Sequence, residues 1–412
     1  MPTNPRRHDH TAWVTHFVRD RKPEQDFPGE NEEDSGRYAG GEIGCDAEAF
    51  EVLKTIIRLG GLIPGYSFRK GRTTIYGGQP AVCATEMPLY AFATYARERA
   101  KLGNVSAYGI AFLKSEFYAA GGRPAIYGLS TDNVSYLRNT ATCRVIDEAV
   151  LPKTEQFRYV AHNPVGLEGR IDWSHEREWR WVPQNSDLDE IWVKNFHGVL
   201  GPTPALPIFK GNLDGRHFSR VCIIVWSNEE ADDVRELLTA LYLAGANNYD
   251  TPFDKKLIER SRIIVLEDVV SAVERGNEID AQTIEGLAEA QLLRSITITT
   301  APTNAEEIVA AAFAAANEAA VAADAAYTAK HGDRFSGFGF AHVATTDVTN
   351  PIVQHLLVTG NASGPYDGEV WIKSPGTTGT SDLDRAEAVC RAVAEVLSEN
   401  LGISVYVTTR ED

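Results

Sequence analysis

Two short stretches carry side chains whose types and spacing could do chemistry. His16-Phe17-Val18 sets an imidazole beside an aromatic ring, and an imidazole titrates near neutral pH, so it can hold a proton or fix a polar ligand. Glu176-Arg177-Glu178-Trp179-Arg180-Trp181 sets two carboxylates two residues apart. If one strand runs through both, the carboxylates share a face. Each stretch also has a plainer reading: a hydrogen-bonded structural histidine, and the charged face of an edge strand.

Other chemical signals are few. The chain holds no phosphate-binding G-x-x-x-x-G-K-[ST] loop, no G-x-S-x-G nucleophile elbow and no H-E-x-x-H pair. His8 and His10 could hold a metal at an ordered site, but an H-D-H in an N-terminal segment is more often incidental, so no metal is expected. Five cysteines are scattered with no C-x-x-C pair, which points to reduced thiols and a cytoplasmic setting. Gly337-Phe-Gly-Phe lies within an expected strand, where the glycines signal close backbone packing.

The elements that must position these residues follow from hydrophobic period and punctuation. A strand is expected over 13–18, then an acidic loop over 20–45. Asp46 is placed to cap a helix with Phe50, Leu53, Ile56 and Ile57 on one face, stopped by Gly60-Gly61. A helix is expected over 89–102, a buried strand over 108–112 with 124–129 as its partner, and a helix over 131–149. Residues 178–182 alternate as a half-buried strand does. Residues 221–226 form the clearest core strand, followed by a helix opened by Ser227 or Asn228 and a strand over 262–266, a parallel crossover unit.

Residues 1–295 therefore read as one mixed α/β domain and 296–335 as a linker with an Ala-rich helix. Thr303 and Glu306 are spaced as a capping box for that helix. Val309, Phe313, Ala316, Ala320, Ala323 and Tyr327 form an alanine-centred seam, which packs either on its own chain or on a second copy as a homodimer through 305–330. Residues 336–412 read as a small βαβαβ domain, so the fold class is α+β or mixed α/β.

Taken in order, His16-Phe17, Gly60-Gly61-Leu62, Val82-Cys83-Ala84-Thr85-Glu86-Met87-Pro88, Tyr108-Gly109-Ile110-Ala111-Phe112 with Lys114, Pro124 to Tyr127, and Glu178-Trp179-Arg180 resemble the bacterial abortive-infection proteins called AbiGi, over residues 12–270. The chain departs from that pattern at Val18 and Ala84. The same order is more distantly similar to the H-Y-E series of ADP-ribosyltransferases. That resemblance implies NAD as substrate, with His16 and Phe17 on the adenosine side, Tyr108 stacked on nicotinamide, Glu86 helping to hold the dinucleotide, and Glu178 or Glu176 as the catalytic carboxylate. A carboxylate is needed there because loss of nicotinamide builds positive charge on the ribose. The tail from about 305 resembles a small phage-encoded domain.

A formal net charge of −17 argues against non-specific nucleic-acid binding, and no apolar run suggests a membrane span. Two readings stand. One is an NAD-using, ADP-ribosyltransferase-like protein of phage–host conflict, with a host or phage macromolecule as acceptor. The other is a non-enzymatic protein that binds a host or phage protein through an acidic surface.

Overall fold

The computed structural model describes residues 11–22, 41–66, 68–69, 71–87, 93, 107–128, 135–140, 142–163, 172–184, 188–195, 197–210, 218–275, 284, 287, 291–296, 301–332, 335–348, 350–366, 369–373 and 382–411. The His8/His10 pair, nearly all of the helix expected over 89–102 and most of the acidic loop lie outside them. The chain divides into two compact units, residues 1–234 with 251–296, and residues 235–250 with 297–412.

The first unit is built on a mixed sheet of eight strands: β1 (Trp13–Val18), β2 (Val82–Thr85), β3 (Tyr108–Leu113), β4 (Arg123–Pro124), β5 (Glu178–Trp181), β6 (Val221–Val225), β7 (Arg262–Val265) and β8 (Leu293–Ser295), in the order β8-β7-β6-β3-β1-β2-β5-β4. β6 and β7 are parallel; the other neighbours are antiparallel. All five residues of β6 are buried, as a continuous apolar run in a central strand requires. The helix after it, α2 (Asn228–Ala244), opens with a capping box: Ser227 Oγ accepts from Glu230 N–H, and Glu230 Oε2 accepts from Ser227 N–H.

Ahead of β2, α1 (Ala49–Leu59) is not capped by Asp46. Asp20, just past β1, accepts from Ala49 N–H at 3.0 Å, so the strand that carries His16 also fixes this helix. Gly60 ends α1 at φ 73, where an added Cβ would lie 2.5 Å from the Phe253 ring. No other residue fits that stop.

Two expected elements are replaced. Residues 124–129 do not pair with β3: Pro124 pairs with β5, and 126–128 pair in parallel with 159–161. In place of a helix over 131–149, 136–139 and 144–146 form an antiparallel pair. Thr140 closes its turn, with its hydroxyl accepting from Cys143 N–H and its own N–H donating to Cys143 O. Such local bonds compete with helix formation.

The second unit runs α4 (Ala305–His331), β9 (Gly339–Thr345), α5 (Pro351–Val358), β10 (Ala362–Tyr366), β11 (Glu369–Ile372), α6 (Leu383–Leu401) and β12 (Tyr406–Glu411); the intervening α3 (Leu266–Glu274) belongs to the first. After α4 the order is βαββαβ, not βαβαβ, with an antiparallel sheet in the order β10-β11-β9-β12, a split βαβ arrangement. The unexpected strand is β10, Ala-Ser-Gly-Pro-Tyr. Its Gly364 and Pro365 sit at an irregularity in the pairing with β11, on a sheet edge, where a missing N–H is tolerated.

Thr303 and Glu306 do not cap α4; its N-cap is Asn304, without a side-chain capping bond. Its alanine seam is already covered. Ala305, Val309, Ala312, Ala316 and Ala320 are buried in the core of this unit, Phe313 and Ala323 pack at its edge, and Arg385 of α6 pairs with Asp324. The alanines let α4 and α6 approach closely, so the buried part of the seam packs within one chain.

Candidate functional site

Strand register decides which of the expected site residues meet. Directly opposed residues of an antiparallel pair share a face. Thr15 opposes Thr85, and Thr85 opposes Glu178, so these three point to one side of the sheet. Phe17, two residues from Thr15, joins them. His16 opposes Ile110, and Val18 opposes Tyr108, which puts His16 and Tyr108 on the other side. The sheet itself separates the expected catalytic carboxylate from the expected histidine and tyrosine.

On the first face, Glu178 forms a two-pronged ion pair with Arg180: Nε donates to Oε1 at 2.9 Å and Nη2 to Oε2 at 3.2 Å. The side chains are 14% and 3% exposed, so this pair is largely withdrawn from water. Arg180 Nη1 also donates to the carbonyls of Phe157 at 2.8 Å and Tyr159 at 3.1 Å. Burial works most strongly against the guanidinium charge, but Glu178, Cys83 and Tyr127 together outweigh it, and the net shift of Arg180 is upward. Cys83 opposes Arg180 and its thiol is pushed well up by burial and then by Glu178, so it is not an activated nucleophile. Tyr127 Oη accepts from Glu178 N–H at 2.9 Å.

Glu176 is not on this strand. It ends a short 3-10 turn, Ser174–Glu176, and Arg177 follows at φ 45, a left-handed backbone that resets the chain before β5. The Thr85 hydroxyl donates to Glu176 O, and Glu86 N–H donates to Arg177 O, which pins the turn to the end of β2. The two-residue spacing that suggested paired carboxylates instead pairs Glu178 with Arg180.

On the second face, His16 Nδ1 donates to Cys83 O at 2.8 Å; a carbonyl oxygen only accepts, so the neutral ring carries its proton there. Burial lowers the His16 pKa against the opposing effect of that bond. Tyr108 Oη donates to Glu230 Oε1 at 2.6 Å, and its ring packs on Phe50 at 5.5 Å. Burial first, then that bond, raises the Tyr108 pKa. Glu230 thus ties β3 to the start of α2, accepting from Tyr108 and from the N–H groups of Trp226 and Ser227. Glu86 accepts from Trp179 Nε1 and from Lys114 Nζ at 3.1 Å.

The residues to which sequence reasoning gave no site role are therefore Arg180, Lys114, Trp179 and Glu230. Glu230 was legible as the fourth residue of Ser-Asn-Glu-Glu, a capping box. The others needed the register. Among the described residues no group of three or more His, Cys, Asp or Glu is placed to hold a metal ion. No protein-family model, curated protein or solved structure matches this chain.

Proposed function

We propose that this chain acts by binding a protein partner, with His16, Glu86, Tyr108 and Glu178 serving the scaffold. The observation that carries this reading is the division of the candidate set: Glu178 lies across the sheet from His16 and Tyr108, and each is engaged by an internal partner. A charge of −17 favours a basic partner, which long-range attraction would steer to it. Glu229, Asp232 and Asp233 stand exposed along the first turns of α2 as part of such a surface. The resemblance to abortive-infection proteins would make that partner a host or phage protein.

One observation supports the NAD-using alternative. The Glu178 carboxylate is held by Arg180 and keeps 14% of its side chain open to solvent. Incubation with labelled NAD and host lysate, alongside affinity capture with the full chain, decides between the two. The expected result is no label in protein or nucleic acid, no calorimetric signal with NAD, and a stoichiometric complex that weakens with salt and survives Glu178→Gln. Label transfer that Glu178→Gln abolishes while thermal stability is kept would overturn the binding reading.

A further inference from the structure

The sheet of the second unit has one face under its helices and one face open. Ala341, Val343, Val370 and Ile372 point to the helices and join the apolar core. Strand alternation sends Phe340, His342, Trp371, Tyr406 and Arg410 to the other side. Their pairings set them together: Phe340 opposes Arg410, and Ala344 opposes both Tyr406 and Trp371. The His342 and Trp371 rings stack with centroids 4.3 Å apart and planes within 7°. The strip continues ahead of β9, where Phe335 and Phe338 meet edge to face at 4.7 Å.

Phe335, Phe338 and Phe340 are 50%, 66% and 48% exposed. Single exposed apolar residues are ordinary, but a continuous aromatic strip marks a surface that something covers. Charge says what. Among the described residues of this face the charged ones are Arg410 and the exposed Lys373, two residues past Trp371, both toward the Phe340 end, and Glu369, at the opposite end beside Tyr406, whose hydroxyl donates to it at 2.8 Å. A nucleic-acid backbone would find two cations beside a carboxylate there, on a chain of charge −17, and a basic protein would find one carboxylate beside two cations. The face is complementary to itself. A two-fold axis through its middle lays aromatic strip on aromatic strip and Arg410 of each copy over Glu369 of the other.

We infer that this open sheet face pairs with the same face of a second copy of the chain. Four strands at about 4.8 Å spacing and about 20 Å long make a face on the order of 400 Å². That is short of the roughly 800 Å² per partner of a standard stable interface, so the dimer forms and dissociates with concentration.

Sedimentation velocity on the full chain across a concentration series tests this. The mass should rise from one chain to two, and Phe340→Ser should hold it at one with an unchanged melting temperature. Arg410→Glu and Glu369→Arg should each weaken the dimer, and mixing the two variants should restore it, because the mixed pair recovers both charge contacts. A monomer at every concentration, a dimer indifferent to Phe340→Ser, or no rescue on mixing overturns the inference. So does a gel shift with single-stranded oligonucleotide that Phe340→Ser abolishes, which would assign the face to stacked bases instead.

Discussion

His16 and Glu178 show how a single register step changes what a residue can do. Residue type and order suggested that they share a pocket, and neither reveals which face of a strand a side chain takes. The face follows from the pairing of β1, β2 and β5, three strands separated by more than 60 residues of chain at each step. What sequence could tell was local: Glu178 and Arg180, two apart on one strand, had to share a face once the strand was known to begin at Glu178. His16 has a measurable signature. Burial holds its folded pKa below 6.5, while the unfolded ring titrates at about that value. Between the two values the unfolded state binds more protons, so stability is full above about 6.5 and is lost as pH falls toward the folded value. Urea denaturation of the native chain and His16→Gln from about pH 8 to about pH 5 should show the native chain losing more stability below about pH 6.5, and parallel losses would place the acid sensitivity elsewhere.

At the scale of elements, long runs with a clear period were legible and short or irregular ones were not. β6, α1 and α6 carry their own pattern and their own stops, Gly60 and Gly402, both left-handed. β10 carries no strand pattern of its own, since it holds Gly364 and Pro365, and it is a strand because it borders β11. The pair at 136–139 and 144–146 has a different cause, a local Thr140 bond that outcompetes helix propensity. α4 was legible as a helix, but its partner was not, since alanine fits any close neighbour. With α6 against the seam, Ala312 and Ala316 have 0% exposure. Ala316→Leu forces extra methylene groups between two helices already in contact and should cost about 1–3 kcal/mol. Val321, 63% exposed on the same helix, is the control: Val321→Ala should change stability by less than about 0.5 kcal/mol. Equal effects of the two changes in chemical denaturation would mean that the seam is not the packed face.

For the whole molecule, the division into two units has a thermodynamic consequence that neither unit shows alone. Each carries its own apolar core, and the residues that hold each core differ in kind. In the first unit the polar keystone is Arg180, which ties β5 to the carbonyls of Phe157 and Tyr159 while pairing with Glu178. Arg180→Ala leaves a largely buried carboxylate and two carbonyls without their donor, a loss of about 3–5 kcal/mol. In the second unit close packing of α4 on α6 plays that part, alongside the Arg385–Asp324 pair, and Ala316→Leu disturbs it. A chain with two cores need not unfold in one step, and a single melting temperature is then poorly defined. Scanning calorimetry of the full chain should resolve two transitions, with Arg180→Ala lowering one and leaving the other in place, and Ala316→Leu doing the reverse. If both variants shift one common transition by the same amount per kcal/mol, the two cores melt as a single cooperative body, and stability lost at Arg180 would be felt as far away as β12.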